Sequence, residues 1–255
     1  SMTSGIAWGN LQPIITALLL STPLLLRRSP TAAGLAVGLS AALKVTPILC
    51  VLYLGIVGRR DRPALRAFLV ASFVIVCASL APHNREYLAR SLHGEFVEFK
   101  RYAGSNFSWV SYAALSGIRL PAWLPVSCSV GGAIALALRS EARSQDWAIL
   151  VSLVLIGSPI NWPHAFPLLL LPSALAWSAL RERLGDRPRA RWAALLVWSL
   201  PWLVIAQCER FYAPDNAFTR SVFPLFPLLL PIGLAALLWP QRASASVPTV
   251  AAYQR

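Results

Sequence analysis

The chain has 255 residues, of which 56% are hydrophobic and 13% are charged, with a mean hydropathy of +0.59. Soluble domains carry about 25% charged residues, so the composition excludes an ordinary soluble protein and predicts an all-α, polytopic helical membrane protein. The formal net charge of +13 comes from Lys and Arg in short clusters between apolar runs. This pattern is typical of cytoplasmic loops, and we expect membrane lipid as a partner and no nucleic acid.

The apolar runs predict the membrane segments in chain order. With the arginine-rich stretch 59–66 placed in the cytoplasm, alternate crossings put 82–120 and 158–164 outside, and every dense arginine loop falls inside. We therefore predict one transmembrane domain over 1–240 and a flexible cytoplasmic tail over 241–255. The predicted runs are 11–26, 31–57, 67–81, 121–138, 147–157, 165–180, 192–207 and 222–240.

The second run allows two interpretations. As a single helix, 31–57 would leave Arg27 and Arg28 outside, against the charge rule. As two short helices, 31–43 and 47–57, it would return both flanks to the cytoplasm, although each piece would span only about 16–20 Å. We favour this hairpin, with Lys44 in its turn near the outer surface, facing protein or a wet cavity. The alternative is a lysine that snorkels from an ordinary helix.

The stretch 82–120 is too long for a plain connection. Its spacing of apolar residues predicts an amphipathic helix at the outer interface, followed by a break and a possible re-entrant segment over 109–118. Asn106-Phe107-Ser108 in this external loop also matches a glycosylation sequon, which is a weak three-residue signal.

A proline-rich bend, Ile156–His164, separates two later runs. Pro159 and Pro163 interrupt a continuous helix, and Trp162 is of the type that prefers the headgroup layer. An imidazole at this edge, from His164, is wet enough to ionise and close enough to meet a lipid-linked substrate. The alternative interpretation is a tight interfacial turn that these side chains only anchor.

All three histidines (His83, His93 and His164) fall on the predicted external side, which favours a site there. Arginine, lysine and histidine at headgroup depth suit the phosphate of a lipid carrier, and neighbouring aromatic rings suit sugar faces or isoprenoid chains. Sugar transfer also needs a carboxylate base. Glu86 and Glu209 each adjoin an arginine, so neither stands out, and Glu95, Glu98 and Asp215 remain as alternatives. The four cysteines have no metal-like spacing, and we expect no metal and no cofactor.

Four sequence elements carry a family resemblance. They are Gly9-Asn10-Leu11-Gln12, the glycine-rich run that ends in Lys44-Val45-Thr46-Pro47, Asn106-Phe107-Ser108, and Ser158-Pro159-Ile160-Asn161-Trp162-Pro163-His164. Over about residues 8–180 the chain resembles glycosyltransferase family 87, bacterial mannosyltransferases of the C-type superfamily that depend on polyprenol-phosphate-mannose.

The resemblance implies a many-helix fold in the bacterial plasma membrane with the active site outside. It implies inverting transfer of mannose from a polyprenyl-phosphate-linked donor to a glycan or glycolipid acceptor. Lys44 then contacts the donor phosphate, and His164 is catalytic. The remaining implied substrate-binding residues are Asn10, Gln12, Asn106, Ser108 and Trp162.

Two departures from the family pattern bear on activity. Relatives tend to have Trp-Asp-His-His where this chain has Trp162, Pro163, His164 and Ala165, so a carboxylate and an imidazole are missing. The family's catalytic aspartate lies in the first external loop, and we expect this chain to begin past that point and to be inactive alone.

Two other classes of protein remain as alternatives. A transporter or flippase of lipid-linked or phosphorylated substrates would use similar external cations and broken helices, and inverted internal repeats would favour it. A non-catalytic membrane scaffold would need neither Lys44 nor His164.

Overall fold

A computed structural model describes the backbone of most helical segments. The described residues are 12–44, 46–81, 108–115, 117–121, 123–139, 144–158, 163–185, 187–196, 198–199 and 225–238. Within these ranges the regular structure is helical and contains no strand, as the composition predicts.

The helices follow the predicted apolar runs closely. Residues 188–196 are also helical. The elements are α1 (Gln12–Arg28), α2 (Pro30–Leu43), α3 (Ile48–Val57), α4 (Arg62–Ser79), α5 (Trp109–Leu115), α6 (Trp123–Arg139), α7 (Ser144–Gly157), a 3₁₀ segment (Pro163–Leu169), α8 (Leu170–Leu184) and α9 (Leu225–Leu238).

The run 31–57 is a helical hairpin. A Cβ atom on Gly34 would lie 2.5 Å from the Ala67 carbonyl oxygen, and Gly38 packs in the same way on Ala71, so α2 and α4 run in the same direction. Gly55 lies against Phe68 and Gly58 against Leu65, so α3 and α4 run in opposite directions. Consequently α2 and α3 are antiparallel, and the single-helix interpretation is wrong.

The α4 helix begins earlier than the hydropathy pattern predicts. We expected 59–66 to be a loop, but α4 starts at Arg62 and includes Arg66. Pro63 permits this start, because its missing N–H falls in the first turn, where backbone donors have no helical partner. Of the helices in the described ranges, α4 alone is long and apolar enough to cross a membrane; several others are apolar but shorter.

The direction of α6 and α7 follows from side-chain contacts. The Arg60 guanidinium donates hydrogen bonds to the carbonyl oxygens of Ala137 (3.1 Å) and Leu138 (3.0 Å), which ties the α3–α4 turn to the last turn of α6. Gly132 packs on Leu153 and Gly157 on Ser129, so α7 returns antiparallel to α6.

The bundle therefore has two chemically different ends. We call the first the arginine end, since it holds Arg27, Arg28, Arg59, Arg60 and Arg139. The second, the lysine end, holds Lys44, the first turn of α1, the first turn of α6 and the last turn of α7.

A buried indole in the core joins α1 to α7. Pro23 lies inside α1 and has no N–H to donate to the carbonyl of Leu19, four residues earlier. The Trp147 indole N–H donates to that oxygen at 2.7 Å. Trp147 is buried and also meets the ring of Tyr53 edge-on, with 6.2 Å between ring centroids.

Candidate active site

Lys44 terminates α2 at the turn of the hairpin. Its backbone is extended, and its N–H donates to the Ser40 carbonyl oxygen at 3.0 Å, so the chain leaves the helix at this residue. The side chain is half-buried, and desolvation lowers the pKa of the amine from 10.5 to about 8. An amine with this pKa is mostly charged at neutral pH and can bind a phosphate oxygen.

The close packing of α2 on α4 determines where this turn lies. Gly34 and Gly38 bring the α2 backbone directly against the backbone of Ala67 and Ala71, because neither glycine has a side chain to hold the two helices apart. Small residues at this spacing are typical of tightly packed membrane helices. The direction of α2, and with it the end of the bundle that receives Lys44, is thus set by a contact remote from the turn.

The 3₁₀ segment is the second part of the candidate site. It follows the end of α7 by a few residues and packs against α1, α7 and α8. Phe166, Leu168 and Leu169 are buried and anchor it in the core. His164 is its second residue, so the backbone bearing this imidazole enters the bundle near the lysine end.

The helix order brings three of the predicted site positions to one end of the bundle. Lys44, Gln12 at the start of α1, and His164 near the start of the 3₁₀ segment share the lysine end. The structure describes the backbone of Gln12 and His164 but not their side chains. Asn10, Asn106 and Trp162 lie wholly outside the described residues.

Ser108 has a local structural role that differs from the substrate contact implied by the family resemblance. It is fully buried, and its hydroxyl accepts a hydrogen bond from the Ser111 N–H at 3.2 Å. Its carbonyl accepts from the Tyr112 N–H at 2.9 Å. Ser108 therefore caps the first turn of α5, a signal visible in sequence as a serine directly before a short apolar helix.

The carboxylates in the described ranges lie away from the lysine end. Asp61 is in the α3–α4 turn, Asp146 is in the first turn of α7, and Glu182 is in the last turns of α8. Asp146 is buried, beside Trp147 in the helix. None of the three is a candidate for the base of a reaction beside Lys44, and no metal-binding cluster occurs in the described ranges.

Comparison with known proteins gives a family for this chain. The model of glycosyltransferase family 87 matches residues 1–160, well over half of the chain. The chain belongs to glycosyltransferase family 87. No curated protein and no solved structure matches it.

The family match confirms the resemblance drawn from the four sequence elements, and it supports a membrane-associated glycosyltransferase. The matched region covers the hairpin with Lys44, the Asn106-Phe107-Ser108 element and α7. The matched region ends at residue 160, so Trp162 and His164 lie just beyond it. The resemblance predicted from the sequence elements extends further, to about residue 180.

Proposed function

We propose that this family 87 protein is a polytopic membrane enzyme that transfers mannose from a polyprenyl-phosphate-mannose donor to a glycan or glycolipid acceptor. Transfer takes place on the external face and inverts the anomeric configuration. The observation that carries the proposal is the grouping of the Lys44 turn and the 3₁₀ segment at one end of the bundle, with the described arginine clusters at the opposite end.

The charge distribution supports this orientation. Arginines concentrate on the cytoplasmic side of membrane proteins, so the arginine end is cytoplasmic and the lysine end external. A donor whose phosphate lies at the outer headgroup layer then meets the Lys44 amine, which is shielded from bulk water. Because α2 and α3 are short, the turn that joins them lies below the outer surface and is lined by protein, where a polar group is tolerated.

In this mechanism the residues of the chain take separate roles. The Lys44 ammonium binds the donor phosphate and stabilises the negative charge that this phosphate gains as the glycosidic bond breaks. His164 hydrogen-bonds the reacting groups. Asn10, Gln12, Asn106 and Trp162 contact the sugars, whereas the buried Ser108 hydroxyl caps α5 and takes no part in binding. The acceptor hydroxyl must lose a proton to a base, for which the described residues offer no carboxylate near Lys44.

The test uses membranes that contain the full-length gene product, incubated with labelled polyprenyl-phosphate mannose. We expect covalent label in an acceptor, with Lys44→Ala and His164→Ala each lowering transfer by at least about ten-fold, since charged hydrogen bonds contribute about 1.5–3 kcal/mol. Arg119→Ala, an exposed position at the lysine end, serves as the control and should retain transfer. Translocation of the donor without transfer would instead indicate a transporter, and normal transfer by both variants would remove Lys44 and His164 from the site.

A further inference from the structure

One face of α4 carries two arginines followed by a line of exposed apolar side chains. Arg62, Arg66, Leu69, Phe73, Val76 and Leu80 are spaced three or four positions apart, so they share one side of the helix. The four apolar members are between 56% and 69% exposed. We call this set the α4 stripe.

The opposite side of α4 is fully used by the fold. Ala64, Ala67 and Ala71 are buried, and Ala67 and Ala71 contact the α2 backbone. The stripe therefore faces away from the bundle, along the one described helix that is long enough to cross a membrane. In such a position it meets lipid or another protein.

The two ends of the stripe match the two parts of a phospholipid. Arg62 and Arg66 are one helical turn apart, about 6 Å along the axis, so both guanidinium groups can reach one phosphate. Neither has an ion-pair or hydrogen-bond partner among the residues that the structure describes. Leu69 to Leu80 extend about 16 Å, roughly half of a ~30 Å hydrocarbon core, which is the depth of one leaflet.

Charge favours an anionic headgroup over a zwitterionic one. Exposed Arg59 and Arg60 adjoin the stripe, and Asp61, which is half-buried, is the one acidic residue of this turn. A second copy of the chain is a poorer occupant, because a parallel two-fold pairing along α4 would oppose Arg62 and Arg66 with their own copies.

We propose that the α4 stripe binds an anionic phospholipid, with its phosphate between Arg62 and Arg66 and an acyl chain along Leu69, Phe73, Val76 and Leu80. This site lies at the arginine end and is independent of the transfer reaction proposed above. It makes the anionic lipid of the inner leaflet a specific partner of this protein.

The test measures lipid binding to the purified, delipidated full chain by native mass spectrometry. Phosphatidylglycerol and phosphatidylcholine with the same acyl chains are compared. We expect the wild-type chain to prefer phosphatidylglycerol, and the Arg62→Gln/Arg66→Gln variant to lose on the order of ten-fold in affinity for it. The matched control is Arg27→Gln/Arg28→Gln, which removes two exposed arginines at the same end but off the stripe, and it should keep the preference.

Several results would overturn the proposal. Equal losses in the two double variants would mean diffuse charge attraction without a site. Absence of a preference for phosphatidylglycerol, or a dimer that excludes lipid, would remove the phospholipid as occupant. Tighter binding of polyprenyl phosphate than of phosphatidylglycerol would assign the stripe to the carrier lipid instead.

A second variant tests the apolar part separately. Phe73→Ser lies on the exposed face, and we expect several-fold weaker retention of phosphatidylglycerol with unchanged helix content by circular dichroism. Soluble glycerol phosphate should not displace the lipid at millimolar concentration. Displacement by it, or full retention by Phe73→Ser, would show that the headgroup alone is bound and would refute the role of the stripe.

Discussion

The residue Pro23 shows how a local defect in a helix is compensated by a distant side chain. It frees the Leu19 carbonyl in a part of the bundle that is closed to water, where an unpaired polar group costs about 1–3 kcal/mol. The Trp147 indole supplies the missing donor at 2.7 Å. The pairing explains why an indole, with its N–H, occupies a fully buried position.

Replacing Trp147 should therefore leave the Leu19 carbonyl without a hydrogen-bond donor. We expect Trp147→Phe to lower stability by roughly 1–2 kcal/mol in thermal unfolding of the detergent-solubilised chain. In a Pro23→Ala background the same change should cost less, because the restored N–H bonds Leu19 locally. Trp192→Phe, at an exposed position, is the matched control and should be neutral. Equal costs in both backgrounds would show that only indole packing matters.

The lowered pKa of Lys44 predicts that donor binding depends on pH. Since burial lowers the pKa of its amine to about 8, the amine is charged below this pH and neutral above it. If only the charged form binds the donor phosphate, affinity should fall about ten-fold between pH 7 and pH 9. Lys44→Arg should bind with little change over this range, because guanidinium stays charged. A declining profile in Lys44→Arg would assign the pH dependence to another group.

At the scale of elements, the hairpin of α2 and α3 depends on the approach of two helix backbones. A Cβ on Gly34 would come within 2.5 Å of the Ala67 carbonyl oxygen and 2.7 Å of the Val70 Cβ. Backbone atoms cannot yield as a flexible side chain can, so α2 and α4 would have to separate. Their separation would move the turn that carries Lys44.

The same substitution at two glycines should have opposite effects. We expect Gly34→Ala to destabilise the chain by about 1–3 kcal/mol through overpacking. Gly131→Ala in α6, where a Cβ meets nothing within 4 Å, should be neutral or stabilise by up to about 1 kcal/mol through helix propensity. Thermal unfolding of both variants measures the difference. Similar values would contradict the tight α2–α4 contact.

At the scale of the whole molecule, the separation of arginines from Lys44 predicts how the chain sits in a membrane. Arg59 precedes α4, and Arg119 lies in the exposed loop before α6, at the other end of the bundle. In a background with the native cysteines replaced by Ala, an impermeant maleimide should label Arg119→Cys in intact cells. It should label Arg59→Cys only after permeabilisation. Labelling of both from the same side would refute the proposed orientation.

Much of the fold could be predicted from the sequence because the signals are local. Apolar runs, flanking arginines and prolines place most helices within a few residues, and the charge rule favours the hairpin at Lys44 over one long helix. The family elements are also local strings, which is why the resemblance could be found without coordinates. The role of Ser108 was harder to predict from the sequence, because its motif fits both a substrate contact and the helix cap that the structure shows.

The amino-acid sequence by itself determined that this is a helical, membrane-type chain of family 87 with a basic and a less basic side, since composition and charge spacing act along the chain. Only the tertiary structure decided that α2 runs parallel to α4, that the Trp147 indole donates a hydrogen bond to the Leu19 carbonyl of α1, and that Asp146 is buried. Each of these depends on which helices meet, and a contact between residues as distant as Leu19 and Trp147 leaves no periodic trace in the sequence.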